Sequence, residues 1–152
     1  MPDWSLPLEG ECRCGKLRFR ITEAPMLSSA CHCRGCQKMT SSAFALTLTV
    51  PETGFDVLQG EPVVGGMHGP EIHHYHCDWC KSWAFTRQAA GMGFVNVRSV
   101  LLDHPAPAEP FVEVFTDEKL PWATTPAKHS FATMPASMEE WGPLIAEYQA
   151  SA

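Results

Sequence analysis

A chain of 152 residues with 45% hydrophobic content is expected to form one domain with room for a buried core. Its 17 acidic residues against 11 basic ones leave a net charge of −6, which argues against the basic face of a general nucleic-acid binder. No run approaches the roughly 18 uninterrupted apolar residues of a membrane span, and the first residues lack the basic start and apolar stretch of a signal peptide. The expectation is therefore a cytoplasmic protein with neither nucleic acid nor membrane as a partner.

Thirteen prolines and eleven glycines are spread through the chain and disfavour long helices. In chain order, strands are predicted at 17–21, 43–50, 72–76, 93–97 and 111–115. In the first of these Leu17, Phe19 and Ile21 alternate with arginines, the pattern of a half-buried strand. Turn residues separate the runs at 51–54, Gly65-Gly66, Gly69-Pro70 and the proline-rich stretch 105–110. A short helical turn is predicted at 33–39. A second helix is predicted near the C-terminus, where Ser137 and Glu140 have capping-box spacing before Trp141, Leu144, Ile145 and Tyr148. Pro143 withholds a helix hydrogen bond there unless it falls in the first turn. The histidines of the 73–76 run read best as strand residues, His74 and His76 on one face and His73 with Tyr75 on the other, with extra metal ligands as the alternative. The fold class is mainly β with short helices.

Seven cysteines fall into three tight clusters: Cys12-x-Cys14, Cys31-x-Cys33-x-x-Cys36 and Cys77-x-x-Cys80. Neighbouring thiolates at such spacings converge on one ion about 2.3 Å away, whereas a disulfide between them would usually be strained. In a reducing compartment clustered cysteines bind metal more often than they pair. Cys12, Cys14, Cys77 and Cys80 make a four-thiolate structural zinc site tying two remote hairpins, with buried thiols or a redox-active Cys77/Cys80 pair as alternatives.

Cys31, Cys33 and Cys36 have no fourth cysteine left to them, so they predict a second, open zinc. Its remaining ligand is a histidine, a carboxylate, water or a substrate thiol. His32 sits between two ligands and is expected to point away from the ion they share, as a supporting or solvent-facing group rather than a ligand. Arg34 and Lys38 make the surroundings electropositive. Three sulfurs donate much charge to the ion and suit capture of a soft thiol better than activation of water. The alternative is a second structural zinc closed by a further protein ligand.

The ordered pattern Gly10-x-Cys12-x-Cys14-Gly15-x-x-Arg18-Phe19, Cys31-His32-Cys33-x-x-Cys36, Ser42-Ala43-Phe44 and Cys77-x-x-Cys80 resembles the glutathione-dependent formaldehyde-activating enzyme family, whose relatives include centromere protein V. Weaker likenesses continue through 94–97, Leu102-Asp103 and Lys119-x-Pro121-Trp122. The resemblance implies a β-tent of twisted antiparallel sheets with zinc knuckles. Residues 8–125 would be the zinc-binding domain and 126–152 a C-terminal extension packed on it. It implies two zincs per chain, on the same two cysteine sets that the spacing suggests.

The namesake enzymes join a glutathione thiol to formaldehyde and are classed as carbon–sulfur lyases. The reading that follows is a zinc-dependent lyase acting on a small aldehyde and a thiol such as glutathione. Arg34, Lys38 or Arg87 would anchor the thiol's carboxylates, and His32 would be the nearest catalytic acid. Trp79, Trp83 and Trp122 would shield metal or fill core, Trp122 being the one best suited to a substrate pocket. The alternative is a non-catalytic two-zinc binding module, and a third reading is redox sensing through the Cys31 cluster. Lys81 departs from the family pattern, standing where a glycine commonly follows the last knuckle. The oligomeric state is not specified by any of these residues.

Overall fold

The computed structural model describes residues 3–88 and 91–151. Its strands are β1 (Leu8–Glu11), β2 (Arg18–Ile21), β3 (Leu27–Cys31), β4 (Ala45–Pro51), β5 (Phe55–Gln59), β6 (Pro62–Gly65), β7 (Ile72–Cys77), β8 (Trp83–Gln88), β9 (Phe94–Arg98), β10 (Val112–Val114) and β11 (His129–Ser130). Two α-helices accompany them, α1 (Arg34–Thr40) and α2 (Met138–Ala150). Among the described residues no helix is long and apolar enough to cross a membrane.

The strands form a three-stranded sheet in the order β1-β2-β5 and an eight-stranded sheet in the order β11-β10-β3-β4-β9-β8-β7-β6. The mainly β expectation holds, with one difference from an all-antiparallel arrangement. Strand β10 runs parallel to β3, and β11 runs parallel to β10. The proline-rich stretch before β10 carries the chain back so that the Phe111 amide bonds the Ser28 carbonyl at 2.9 Å, entering beside the start of β3. Both strands then deliver their C-terminal ends to one place, where the His32 amide bonds the Val114 carbonyl at 3.0 Å.

Directly opposed residues share a sheet face. Leu48 pairs Val97, which pairs Phe85, and Val50 pairs Val95. This apolar face meets Phe19, Ile21 and Phe55 of the small sheet in the main core. Truncating Phe19 or Phe85 to alanine would cost about 3–5 kcal/mol. The opposite face of the large sheet is polar: Thr47 pairs Arg98, while Asn96 pairs Thr49 and Thr86. A second cluster, Leu27, Val112, Val114, Leu144 and Tyr148, packs α2 against β3 and β10.

The five predicted strands are present, with ends shifted by one or two residues. Gly10 has a structural reason to be glycine, because a Cβ there would lie 2.5 Å from both the Leu101 carbonyl oxygen and the Phe19 ring. The helix near the C-terminus starts at Met138 and carries Pro143 inside it. Ser137 flanks its start without a side-chain cap, and the Glu140 carboxylate accepts instead from the Ala136 amide. The 73–76 run lies in β7, with His74 hydrogen-bonded to Thr86 and Tyr75 stacked on Phe85 in the core.

Candidate metal centres

Two loops build the four-cysteine cluster. Cys12 follows β1, and a turn closed by the Gly15 amide on the Cys12 carbonyl (3.0 Å) brings Cys14 beside it, Gly15 taking φ of 80°. Cys77 ends β7, and the matching turn is closed by the Lys81 amide on the Cys77 carbonyl at 3.0 Å. The Arg13 amide donates to the Ser82 hydroxyl at 3.2 Å and joins the two loops. All four sulfurs lie within 4.8 Å of one another, with Cys12–Cys14 at 3.5 Å and Cys14–Cys77 at 3.7 Å. A tetrahedron of sulfurs around zinc has edges of about 3.8 Å, so this donor set fits the ion and is too open for disulfides.

Hydrogen bonding favours the thiolate at Cys12 and Cys80, while burial and neighbouring thiols push Cys14 up to about 11. Burial pushes the Cys80 thiol up, but hydrogen bonds from Ser82 and from the Cys14 backbone more than offset it, leaving it at about 5. Cys12 and Cys77 are buried in the main core, at 2% and 3% exposure. Metal binding there would be coupled directly to folding.

The three-cysteine cluster forms where β3 hands over to α1. Cys31 ends β3. Cys33 occupies the N-cap of α1, its sulfur accepting the Cys36 amide at 3.3 Å, and Cys36 lies in the first turn. The capping geometry thus draws the sulfurs together, and all three are within 4.8 Å of one another. A hydrogen bond from Cys36, aided by the charge of Arg98, brings the Cys31 thiol down to about 6 despite its burial. The same bond, with burial, pushes Cys36 up. Three soft donors without a fourth sulfur fit a zinc that keeps one position for another ligand.

His32 is not among these donors and does not face solvent. Its ring is fully buried, with Nε2 2.8 Å from Glu113 Oε2 and Nδ1 without a hydrogen-bond partner. Phe44 meets it edge-on at 5.3 Å. Glu113 also accepts from the Thr125 and Ser130 hydroxyls at 2.8 and 2.7 Å. Burial raises the Glu113 carboxyl, and the bonds from Ser130, His32 and Thr125 hold it below the usual carboxylate range. Because an ionised carboxylate only accepts, His32 donates through Nε2. The His32 carbonyl in turn accepts from Gln37 Nε2 at 2.7 Å. The ring clamps the Cys31–Cys33 segment to β10.

A cleft of about 500 Å³ lies against α1, lined by Arg34, Gln37, Lys38, Ser41, Leu120 and Trp122 among others. Arg34 and Lys38 are therefore placed on the helix that carries Cys36, facing this cleft. Arg87 is not, since it pairs with Glu52 at 3.3 Å and lies over Phe55 and Phe85. Trp122 is 72% exposed at the cleft, whereas Trp79, 69% exposed with Lys16 Nζ 4.7 Å over its ring, lines a different pocket.

Two residues near the cluster gave little signal in the sequence. Glu113 is a carboxylate inside an otherwise apolar strand, an anomaly that hints at a buried partner. Arg98 ends β9 only 7% exposed, its guanidinium 4.0 Å above the Trp83 ring. Burial lowers Arg98 to about 10, which leaves it charged at neutral pH.

A β scaffold that gathers seven cysteines into a set of four and a set of three offers two thiolate clusters that could hold metal ions. The model of the glutathione-dependent formaldehyde-activating enzyme family matches residues 7–118, and the chain belongs to that family. A search of the curated proteins finds none that matches. Among solved structures, the fold is similar to a crystal structure of a Rhodobacter sphaeroides protein determined as a structural-genomics target. The two are 16% identical with a TM-score of 0.52, over 62% of this chain and 87% of that one.

Proposed function

We propose that the protein is a zinc-dependent carbon–sulfur lyase that joins or releases a small aldehyde and a thiol such as glutathione. Zinc would be held structurally by Cys12, Cys14, Cys77 and Cys80, and a second zinc by Cys31, Cys33 and Cys36. The observation that carries this reading is the set of three sulfurs gathered at the start of a helix that also lines a basic cleft, in a member of this family. When bound at that set, zinc supplies the Lewis acidity that keeps an incoming thiol deprotonated at neutral pH.

The chain's own residues do the rest. Arg34 and Lys38 offer charge to the carboxylates of a glutathione-like thiol, and Leu120 and Trp122 offer it apolar surface. His32, fully buried on Glu113, acts as a positioning residue for the two flanking cysteines rather than as a proton donor to substrate. A cytoplasmic setting would supply reduced glutathione and keep the thiols free.

Zinc stoichiometry and turnover test the reading together. Wild-type protein purified without chelator is expected to carry two zincs and to accelerate S-hydroxymethylglutathione formation from glutathione and formaldehyde. Cys36→Ser is expected to keep one zinc and the fold while losing the acceleration. Two zincs with no acceleration above buffer for any thiol would favour the non-catalytic module instead.

A further inference from the structure

Gln37 is buried in the wall of the α1 cleft, at 5% exposure, while Arg34, Lys38, Ser41 and Ser42 around it are exposed. Its amide nitrogen donates to two backbone carbonyls, that of His32 at 2.7 Å and that of Glu118 at 3.1 Å. Carbonyls only accept, so these two bonds fix which way round the amide stands. The amide oxygen is left as an acceptor, and the Arg34 guanidinium donates to it through Nη1.

The nearby Glu118 carboxylate accepts the Arg34 backbone amide, at 3.0 Å, and not its guanidinium. Among the described residues neither Arg34 nor Lys38 forms an ion pair. That is unexpected in a chain with 17 acidic residues against 11 basic ones. Arg34 and Lys38 are also four apart on one helix, a spacing at which like charges repel. An anion in the cleft would relieve that repulsion. The residue that orients Arg34 is neutral, so it directs the guanidinium without neutralising it. A glutamate at position 37 would do both.

We infer that Gln37 is a positioning residue for substrate selection: it fixes the Arg34 guanidinium so that the remaining N–H donors take a carboxylate of the thiol. The cleft then selects carboxylate-bearing thiols over neutral ones. The inference rests on the lyase reading above and adds to it the residue that sets its thiol specificity. A guanidinium presents a planar fork that matches a carboxylate, and holding the fork in place beforehand reduces the freedom lost on binding. The same amide is tied through the His32 carbonyl to the segment between Cys31 and Cys33. Through the Glu118 carbonyl it is tied to the stretch leading to Leu120 and Trp122 across the cleft. One side chain thus joins the anion-binding group, the cysteine-bearing loop and the apolar wall.

The test compares zinc-loaded wild type with Arg34→Gln, Arg34→Lys, Gln37→Met and the double variant Arg34→Gln/Gln37→Met. Formaldehyde is supplied with glutathione or with 2-mercaptoethanol, a thiol without a carboxylate. In Arg34→Gln and in Gln37→Met the preference for glutathione over 2-mercaptoethanol is expected to fall about 10-fold, through KM and not kcat. The double variant should lose no more preference than Arg34→Gln alone, because Gln37 acts through Arg34. Arg34→Lys keeps the charge without the planar fork and should lose part of the preference. Equal losses with both thiols, additive losses in the double variant or an unchanged preference would overturn the assignment while leaving the lyase reading intact. Should Gln37→Met shed its second zinc, Arg34→Lys decides: a reduced preference supports the assignment, and a wild-type preference overturns it. Wild type without acceleration would remove the lyase reading, and this assignment with it, before any substitution is examined.

Discussion

His32 Nε2 and Glu113 Oε2 lie 2.8 Å apart, joining the cysteine-bearing end of β3 to the middle of β10 across 81 residues of chain. The imidazole is fully buried, and the carboxylate gathers two further hydroxyl donors from the segment that leads to and includes β11. Removing Glu113 leaves three donors without their acceptor in a site that water does not readily reach. Glu113→Ala is therefore expected to lower unfolding stability by about 3 kcal/mol, read from urea denaturation. A loss below about 1 kcal/mol would place the network among weakly coupled surface contacts.

The same carboxylate sets a direction for pH dependence. Its folded pKa lies below the ordinary value of 4.5, because bonds from Ser130, His32 and Thr125 outweigh the opposing effect of burial. A depressed carboxyl contributes stability that is fully present above its unfolded pKa and is lost as pH falls through the folded value. Glu147, held down by Lys128 and His129, acts in the same direction. Stability should thus decline on acidification below about pH 4.5. Urea midpoints of wild type and Glu113→Gln should converge as pH drops, because protonation removes in one what substitution removes in the other. Parallel curves down to pH 3 would show that Glu113 is not a source of the acid sensitivity.

Lys81 takes φ of 59°, a left-handed conformation in which a side chain is disfavoured. It holds the turn of the second knuckle, its amide on the Cys77 carbonyl, while its ammonium makes an exposed contact with Asp78. Exposed pairs of this kind contribute little. Glycine at this position should relieve the backbone, offset in part by the larger entropy of an unfolded glycine. Lys81→Gly is expected to raise stability by about 0.5–1 kcal/mol with zinc content unchanged, measured by denaturation and metal analysis. A destabilised variant would mean that the lysine side chain makes a contribution its exposure hides.

The cysteine sets were legible because ligand spacing is a local code, and turns closing on Cys12 and Cys77 follow from neighbouring residues. The strands at 17–21 and 93–97 were legible because apolar alternation is local too. Strand β3 was not, since Leu-Ser-Ser-Ala-Cys has neither alternation nor β-branched residues; β4 and β10 hold it in place from both sides. Strand β11, two residues long, exists only as a partner of β10. The Ser137–Glu140 spacing suggested a reciprocal cap, yet the serine side chain makes no capping bond and the glutamate turns to Ala136. Arg98 and Glu113 mattered through partners far along the chain, which no local pattern encodes.

Trp122 separates substrate binding from scaffold. It follows Pro121 in a loop on the cleft, 72% exposed, opposite Arg34 and Lys38 of α1. So open a side chain contributes little to the core, and Trp122→Ala should change stability by no more than about 0.5 kcal/mol. If the ring supplies apolar surface to the thiol's tail, the same variant should raise the KM for glutathione about 10-fold while kcat stays near wild type, the pattern of binding made equally in ground and transition states. Lys38→Ala should act in the same sense and add a dependence on salt, since its attraction to a carboxylate is screened. Unchanged KM in both variants would move the thiol's tail out of this cleft and onto another face of the cluster.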